Sequence, residues 1–219
     1  RYAHRGLHDN DGGVPENSLA AFRLAAEAGF GAELDVHRTA DGQLVVIHDS
    51  GLKRVCGREG KVEELTYEAL SQYRLLDTEE HIPLLSEVLP LFAGTAPLIV
   101  ELKPIRGNEA ILTEETCALL DSFPDLDYCL ESFDPFAVLW LRRNRPELIR
   151  GQLSQDFLRA PDHPKLLASF MLSTLFSNAW TRPDFVAYEV SCDHFAAPRV
   201  QRSLFHTPLA AWTVRDEKT

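Results

Sequence analysis

The 219-residue sequence contains no apolar run approaching the ~18 residues that a membrane-spanning helix needs. It has no basic excess either. Lys and Arg number 22 against 33 Asp and Glu, a net charge of −11, which excludes a global electrostatic footprint for nucleic acid or an anionic membrane. An anionic small-molecule substrate would have to meet a local cation that overcomes this field. The four cysteines, at 56, 117, 129 and 192, form no C-x-x-C pair and have no zinc-ligand spacing. They read as reduced structural thiols, which points to a cytoplasmic location. The opening residues do not read as a signal peptide, and the chain begins in a strand-like run without Met. Neither G-x-G-x-x-G nor G-x-x-x-x-G-K-[ST] occurs, so a nucleotide-binding open sheet has no support. What remains is a chain of ordinary apolar content (45%) and charged content (25%), able to bury a real core as one large domain or two small ones.

Short apolar runs alternate with helical patterns along this chain. "YAH" reads as a strand, followed by a loop through "DNDGGVPEN". "SLAAFRLAAEAGF" reads as a helix capped by Asn17 or Ser18 and stopped at Gly29. "AELDV" and "QLVVIH" read as strands two and three, joined by the turn "TADG". The stretch 50–82 breaks the alternation, holds one short helix in "TYEALSQYRLL", and is expected to be an insertion. Beyond it, "IPLLSEVLPLFA", "EAILTEETCALLDSF", "DPFAVLWLRRN" and "DHPKLLASFMLSTLF" read as helices. Between and after them, "PLIVELK", "DYCLESF", "IRGQL", "DFVAYEVSC" and "PLAAWTV" read as strands. Repeated βα alternation predicts an α/β fold with a parallel sheet, either closed as a (β/α)8 barrel or open and doubly wound.

In a barrel, chemistry gathers at the C-terminal ends of the strands. There this sequence places His4 and Arg5, then Glu33 and Asp35, then His48 and Asp49, then Glu101 and Lys103. Successive strand residues alternate faces, so Glu33 with Asp35 and Glu101 with Lys103 share a face. Converging buried carboxylates need a cation, and an all-oxygen set suits Mg²⁺ or Ca²⁺ rather than zinc. Two histidines beside such a site can serve as acid and base, and Arg5 and Lys103 can hold an anion such as phosphate. Any one of these residues alone reads more simply as a structural histidine, a solvated edge or an ion pair. Four successive strand ends carrying them together read as a functional site. His37 is expected in the loop beyond strand two as a structural residue, and His8 at the rim. His81, His163, His194 and His206 are read as surface or structural.

Taken in order, "HRG" at 4–6, "PEN" at 15–17, "ELDV" at 33–36, T-x-D-G at 39–42, "VVIHD" at 45–49, "IPLLSEVL" at 82–89, "ELK" at 101–103, "SF" at 132–133 and "AWTV" at 211–214 resemble the glycerophosphodiester phosphodiesterase family over nearly the whole chain. The resemblance implies a single TIM (β/α)8 barrel domain over residues 1–219, with a small insertion after strand three at about 50–82. It implies hydrolysis of glycerophosphodiesters to glycerol 3-phosphate and an alcohol, with a divalent metal, Mg²⁺ or Ca²⁺. Carried over by motif, His4 and His48 are the acid–base pair. Glu33, Asp35 and Glu101 are metal ligands, and Arg5 and Lys103 bind phosphate. Glu16 and Asn17 support the first loop, and Trp212 lines the substrate pocket on the glycerol side.

Two departures stand out. The insertion reads "VCGREGKVEELTYEAL", where the family usually begins with a threonine-rich stretch, and this bears on substrate selection rather than on the chemistry. The family also continues past "WTV" with a D-G-[IV]-x-T-D-x-P-like strand and a helix, so the last βα unit is expected to lie outside this sequence; an open barrel would expose strand edges. The nearest rival is a lysophospholipase D or sphingomyelinase-D-like phosphodiesterase, separable by its products. A metal-dependent lyase or isomerase acting on a carbonyl is disfavoured by the two histidines with H-R-G. A barrel used only for binding predicts no metal dependence and function that survives loss of His4 or His48.

Overall fold

The computed structural model describes residues 2–157, 166–189 and 196–212. The chain forms two compact units, residues 1–129 and 130–219. In the first, β1 (Tyr2–His4) runs parallel to β2 (Gly31–Arg38), with His4 opposite Glu33. On its other edge β2 pairs in parallel with β4 (Leu98–Leu102), and Asp35 stands opposite Glu101. Parallel neighbours need a crossover, which a two-residue turn cannot supply. The first crossover is α1 (Leu19–Glu27), started by Ser18, whose hydroxyl accepts the Ala21 N–H. It ends where Gly29 takes a positive φ of 70°. Ala21, Phe22 and Ala25 form its buried face, and Phe22 meets Phe92 edge-on at 6.2 Å.

Strand three departs from the expected barrel series. β3 (Leu44–Val46) pairs antiparallel with β2. The cause is its short connection: Thr39 N–H bonds to the Gln43 carbonyl and Gly42 adopts a φ of +84°, a tight turn that can return a strand only antiparallel. Val36 pairs with Leu102 on one edge of β2 and with Val46 on the other. β3 therefore occupies the edge that β1 vacates beyond His4, and this brings "IHD" to the same end of the sheet.

The insertion has its own core of Val45, Ile47, Leu52, Val55, Val62, Leu70, Leu75 and Ile82. It carries α2 (Lys53–Cys56), a 3₁₀ turn at Val62–Glu64 and α3 (Tyr67–Leu70), which Thr66 caps. The helix expected through "TYEALSQYRLL" is only this one turn, because the N–H groups of Leu75 and Leu76 bond instead to the Glu80 and Val55 carbonyls. "IPLLSEVLPLFA" is likewise divided into α4 (Leu85–Val88) and a 3₁₀ turn at Leu89–Leu91 that contains Pro90. After β4, α5 (Glu109–Asp121) completes this unit's helices.

The second unit contains β5 (Tyr128–Ser132, whose first two residues belong to the first unit), β6 (Arg150–Ser154), β7 (Phe185–Glu189) and β8 (Leu209–Trp212). They pair in parallel in that order, β6 to β7 to β8 following β5. α6 (Pro135–Asn144) is started by Asp134, which accepts the Phe136 and Ala137 N–H groups, with Pro135 in the first turn. α7 (Leu166–Ser173) and α8 (Asn178–Thr181) lie between β6 and β7. α9 (Ala196–Leu204) precedes β8 and is a helix the periodicity did not reveal. Parallel strands returned by helices make this an α/β fold of the TIM-barrel type, with β3 as its one antiparallel strand among the described residues. Cys192, His163, His194, the "TV" of "AWTV" and the first residues of the helix expected at 162–176 lie outside the described residues.

Candidate active site

β2 carries Glu33 and Asp35 on one face, and β4 carries Glu101 beside them. One ligand oxygen from each carboxylate lies within 4.8 Å of the others, and all three residues are buried. Lys103, just past β4, places Nζ 3.1 Å from Asp35 Oδ1 and 2.8 Å from Glu101 Oε1. Its backbone N–H bonds to the Val36 carbonyl, extending the β2–β4 pairing to that point.

The "HRG" segment closes the other side. Arg5 has a φ of +57°, rare for a residue with a side chain. In that conformation its backbone N–H donates to Glu33 Oε2 at 3.0 Å, its Nη1 donates to Glu16 Oε1 at 2.8 Å, and its Nε stands 3.7 Å from Asp35 Oδ2. Gly6 follows with a φ of +80°, and a Cβ there would lie 2.8 Å from the Ala21 Cβ. The glycine is thus required by both conformation and space. His4 sets Nε2 3.8 Å from Glu33 Oε2. Asn17 is also left-handed, at φ +56°, and its Nδ2 donates to Asp35 Oδ2 at 2.8 Å. Glu16 thus contacts Arg5, and Asn17 contacts Asp35.

His48 lies two residues beyond β3, and the Ile47 N–H, bonded to the Asp35 carbonyl, keeps that run against β2. His48 Nδ1 donates to Asp49 Oδ1 at 2.6 Å. Asp49 Oδ2 in turn accepts from Arg54 Nε at 2.5 Å. His37 is not in the loop beyond the strand: it belongs to β2, is buried, and stands between Glu63 Oε1 (2.7 Å from Nδ1) and the His48 carbonyl (3.2 Å from Nε2). Its i, i+4 distance from Glu33 along β2 keeps it on the carboxylate face. Of the residues that sequence reasoning left out of the site, Arg54 and Glu63 come from the insertion. A single sequence offers no spacing signal that would assign them.

These contacts set the protonation of the site. Burial alone would raise Asp35, but Lys103, His48, Arg5 and Asn17 outweigh it and hold the carboxyl well below its usual range. Burial, reinforced by the Asp35 charge, pushes Glu101 up despite Lys103. Burial would lower Lys103, yet Asp35, Glu101 and Glu33 keep it firmly protonated. Burial and the Arg5 charge bring His4 down to about 4. Glu16 is raised by burial but lowered further by Arg54, Asn10 and Arg5, to about 2. The hydrogen bond from His48, with that from Arg54, holds Asp49 below the usual carboxylate range.

The donor set fits a hard divalent cation: three carboxylates, all oxygen, converging and buried, without nitrogen or sulfur donors among them. Trp212 belongs to the second unit, where its half-buried ring meets Phe133 edge-on at 5.6 Å, and Phe133 meets Phe157 at 5.7 Å. His206 is exposed, and His81 lies 4.0 Å from Glu87. No helix among the described residues is long and apolar enough to cross a membrane.

Carboxylates, histidines and cations gathered at one end of a largely parallel sheet fit an α/β enzyme of the TIM-barrel class. Comparison with known proteins makes this specific. Residues 4–219 match the glycerophosphoryl diester phosphodiesterase family, and the chain belongs to that family. It is 33% identical to a glycerophosphodiester phosphodiesterase of Bacillus altitudinis over 171 residues, covering 74% of this chain and 69% of that protein. It is 32% identical to one of Caldanaerobacter subterraneus over 191 residues, covering 80% and 75%. A phosphodiesterase of Oleispira antarctica, solved in complex with the product sn-glycerol-3-phosphate, superposes with a TM-score of 0.78 at 25% identity, covering 99% of this chain and 85% of its own. The protein is an enzyme of the glycerophosphodiester phosphodiesterase type.

Proposed function

We propose that the enzyme cleaves glycerophosphodiesters to glycerol 3-phosphate and an alcohol, with His4 and His48 as an acid–base pair and a divalent cation, Mg²⁺ or Ca²⁺, on Glu33, Asp35 and Glu101. The observation that carries this reading is the convergence of three buried carboxylates with both histidines in one unit of the fold, His4 being 3.8 Å from Glu33. The product bound to the Oleispira antarctica phosphodiesterase supports the same product here.

A phosphodiester carries a negative charge that repels nucleophiles. A cation bound to the carboxylates would supply compensating positive charge where charge develops in the transition state. Arg5 and Lys103 add fixed positive charge, each already held in place by carboxylates. One histidine removes the proton from the glycerol 2-hydroxyl as that oxygen bonds to phosphorus. The other gives its proton to the head-group oxygen as the P–O bond breaks, releasing the alcohol. Water then opens the cyclic phosphate, the two histidines exchanging roles, and glycerol 3-phosphate leaves. Cys56, Cys117 and Cys129 form no disulfide with one another, which supports a cytoplasmic setting.

The test is glycerophosphocholine against its 2-deoxy analogue, with products identified by mass. Glycerol 3-phosphate and choline from the first, with little reaction of the second, are expected. Release of choline phosphate would mean the other P–O bond is cut. Equal rates on both substrates would rule out the neighbouring hydroxyl in favour of direct attack by water.

A further inference from the structure

We propose that Arg54 is a positioning residue for this reaction, fastening His48 and Arg5 into one rigid unit through Asp49 and Glu16; the proposal rests on the acid–base reading of His48. Arg54 Nη2 and Nη1 form a fork on Glu16 Oε1 and Oε2 at 2.8 and 3.0 Å, while its Nε donates to Asp49 Oδ2 at 2.5 Å. Asp49 holds His48 by its other oxygen at 2.6 Å, and Glu16 holds Arg5 at 2.8 Å. A single guanidinium therefore links the loop carrying one side of the site to the segment carrying the other.

A carboxylate can only accept, so the Asp49 contact keeps the proton of neutral His48 on Nδ1 and leaves Nε2 for proton transfer. Without Arg54, half-exposed Asp49 is free to leave that position, and buried Glu16 keeps Arg5 as its remaining ion-pair partner. The neighbouring Lys53 shows how selective this placement is. It turns to solvent, 78% exposed, and pairs only with Glu59. Arg54 keeps 45% of its side chain exposed, yet its guanidinium is fastened to buried Glu16 and to Asp49. The insertion thus acts on the chemistry through Arg54. An isolated surface ion pair contributes little, but a planar fork that bridges two carboxylates has a geometric role that a lysine ammonium cannot reproduce.

The experiment compares Arg54→Gln and Arg54→Lys with the wild type on glycerophosphocholine, separates kcat from KM, and repeats Arg54→Gln in an Asp49→Asn background. Ring-nitrogen NMR of His48 provides a readout that does not depend on turnover. Arg54→Gln should lower kcat by about 10–100-fold, the usual effect of losing a supporting partner of an active-site group, with a smaller change in KM. In the Asp49→Asn background the same replacement should lower kcat far less, because both act through one ring. Arg54→Lys should recover only part of kcat, and the Nδ1-protonated form of His48, dominant in the wild type, should become a mixture in Arg54→Gln. A folded Arg54→Gln variant with wild-type kcat, fully multiplicative losses in the double variant, or an unchanged His48 tautomer would each overturn the proposal. A wild type without phosphodiesterase activity would instead overturn the functional reading, and the tautomer measurement would still decide the role of Arg54. Should Arg54→Gln fail to fold, Arg54→Lys carries the same comparisons, and full recovery of kcat in it would refute the bridging role.

Discussion

The proposed acid–base pair comes from two places in the chain, His4 at the end of β1 and His48 two residues beyond β3. His4 stands beside Glu33 with its proton affinity lowered by burial and by Arg5, while His48 is held by Asp49. Alanine at either position should lower kcat by roughly 10²–10⁴-fold. Substrate binding should change far less, and the bell-shaped pH profile should lose one limb in each variant. Steady-state kinetics across pH checks this, and wild-type turnover in either variant would remove that residue from the mechanism. Glu16 gives a separate test through stability. Its folded value of about 2 lies below the ordinary 4.5, so the folded state binds fewer protons than the unfolded chain between those values. The stabilisation is complete above about pH 4.5 and is lost as pH falls toward 2. Glu16→Gln should remove an acid-sensitive contribution of order 1–3 kcal/mol. Denaturant titrations at pH 6 and pH 3 should therefore differ less in the variant than in the wild type; an identical difference in both would refute the assignment.

At the scale of elements, the antiparallel β3 and the insertion that follows it build the His48 side of the site, while β2 and β4 carry the carboxylates. The two can be separated. Leu70 is fully buried in the insertion's core, and Leu70→Ala should destabilise the protein by about 2–5 kcal/mol. It should lower turnover through His48 and Arg54 while leaving metal affinity nearly intact. Calorimetric metal titration beside kinetics checks this, and metal affinity falling in step with turnover would show that the two supports are not independent. The "TADG" turn already contained the antiparallel pairing, since four residues cannot carry a parallel crossover. The helices at 19–27 and 135–144 were legible from caps and periodicity. The one-turn α3 was not, because the tertiary hydrogen bonds of Leu75 and Leu76 outbid a helix of ordinary propensity.

For the molecule as a whole, a cation held by the carboxylate cluster on β2 and β4 would couple ligation to stability. A cation that binds the folded state and not the unfolded chain stabilises by mass action. Mg²⁺ or Ca²⁺ should therefore raise the melting temperature, exhaustive chelation should abolish activity, and re-addition should restore it. Glu33→Gln should weaken the thermal shift and can raise the stability of the metal-free protein, because the carboxylates repel one another without an ion. Thermal melts with and without chelator decide this, and full activity after chelation would refute metal dependence.

The order of polar residues along the chain was enough to mark His4, Arg5, Glu33, Asp35, His48, Glu101 and Lys103, because strand alternation and the grouping of function at strand ends act over a few neighbouring residues and leave a readable period. It also determined the α/β class, since each parallel strand needs its crossover helix. Only the tertiary structure decided that His37 lies within β2 and supports the His48 backbone, that Glu16 clamps Arg5, and that Arg54 and Glu63 reach in from the insertion. Those partners are set by how the folded chain brings distant segments together, and contacts between residues 38 and 26 positions apart leave no period in a sequence.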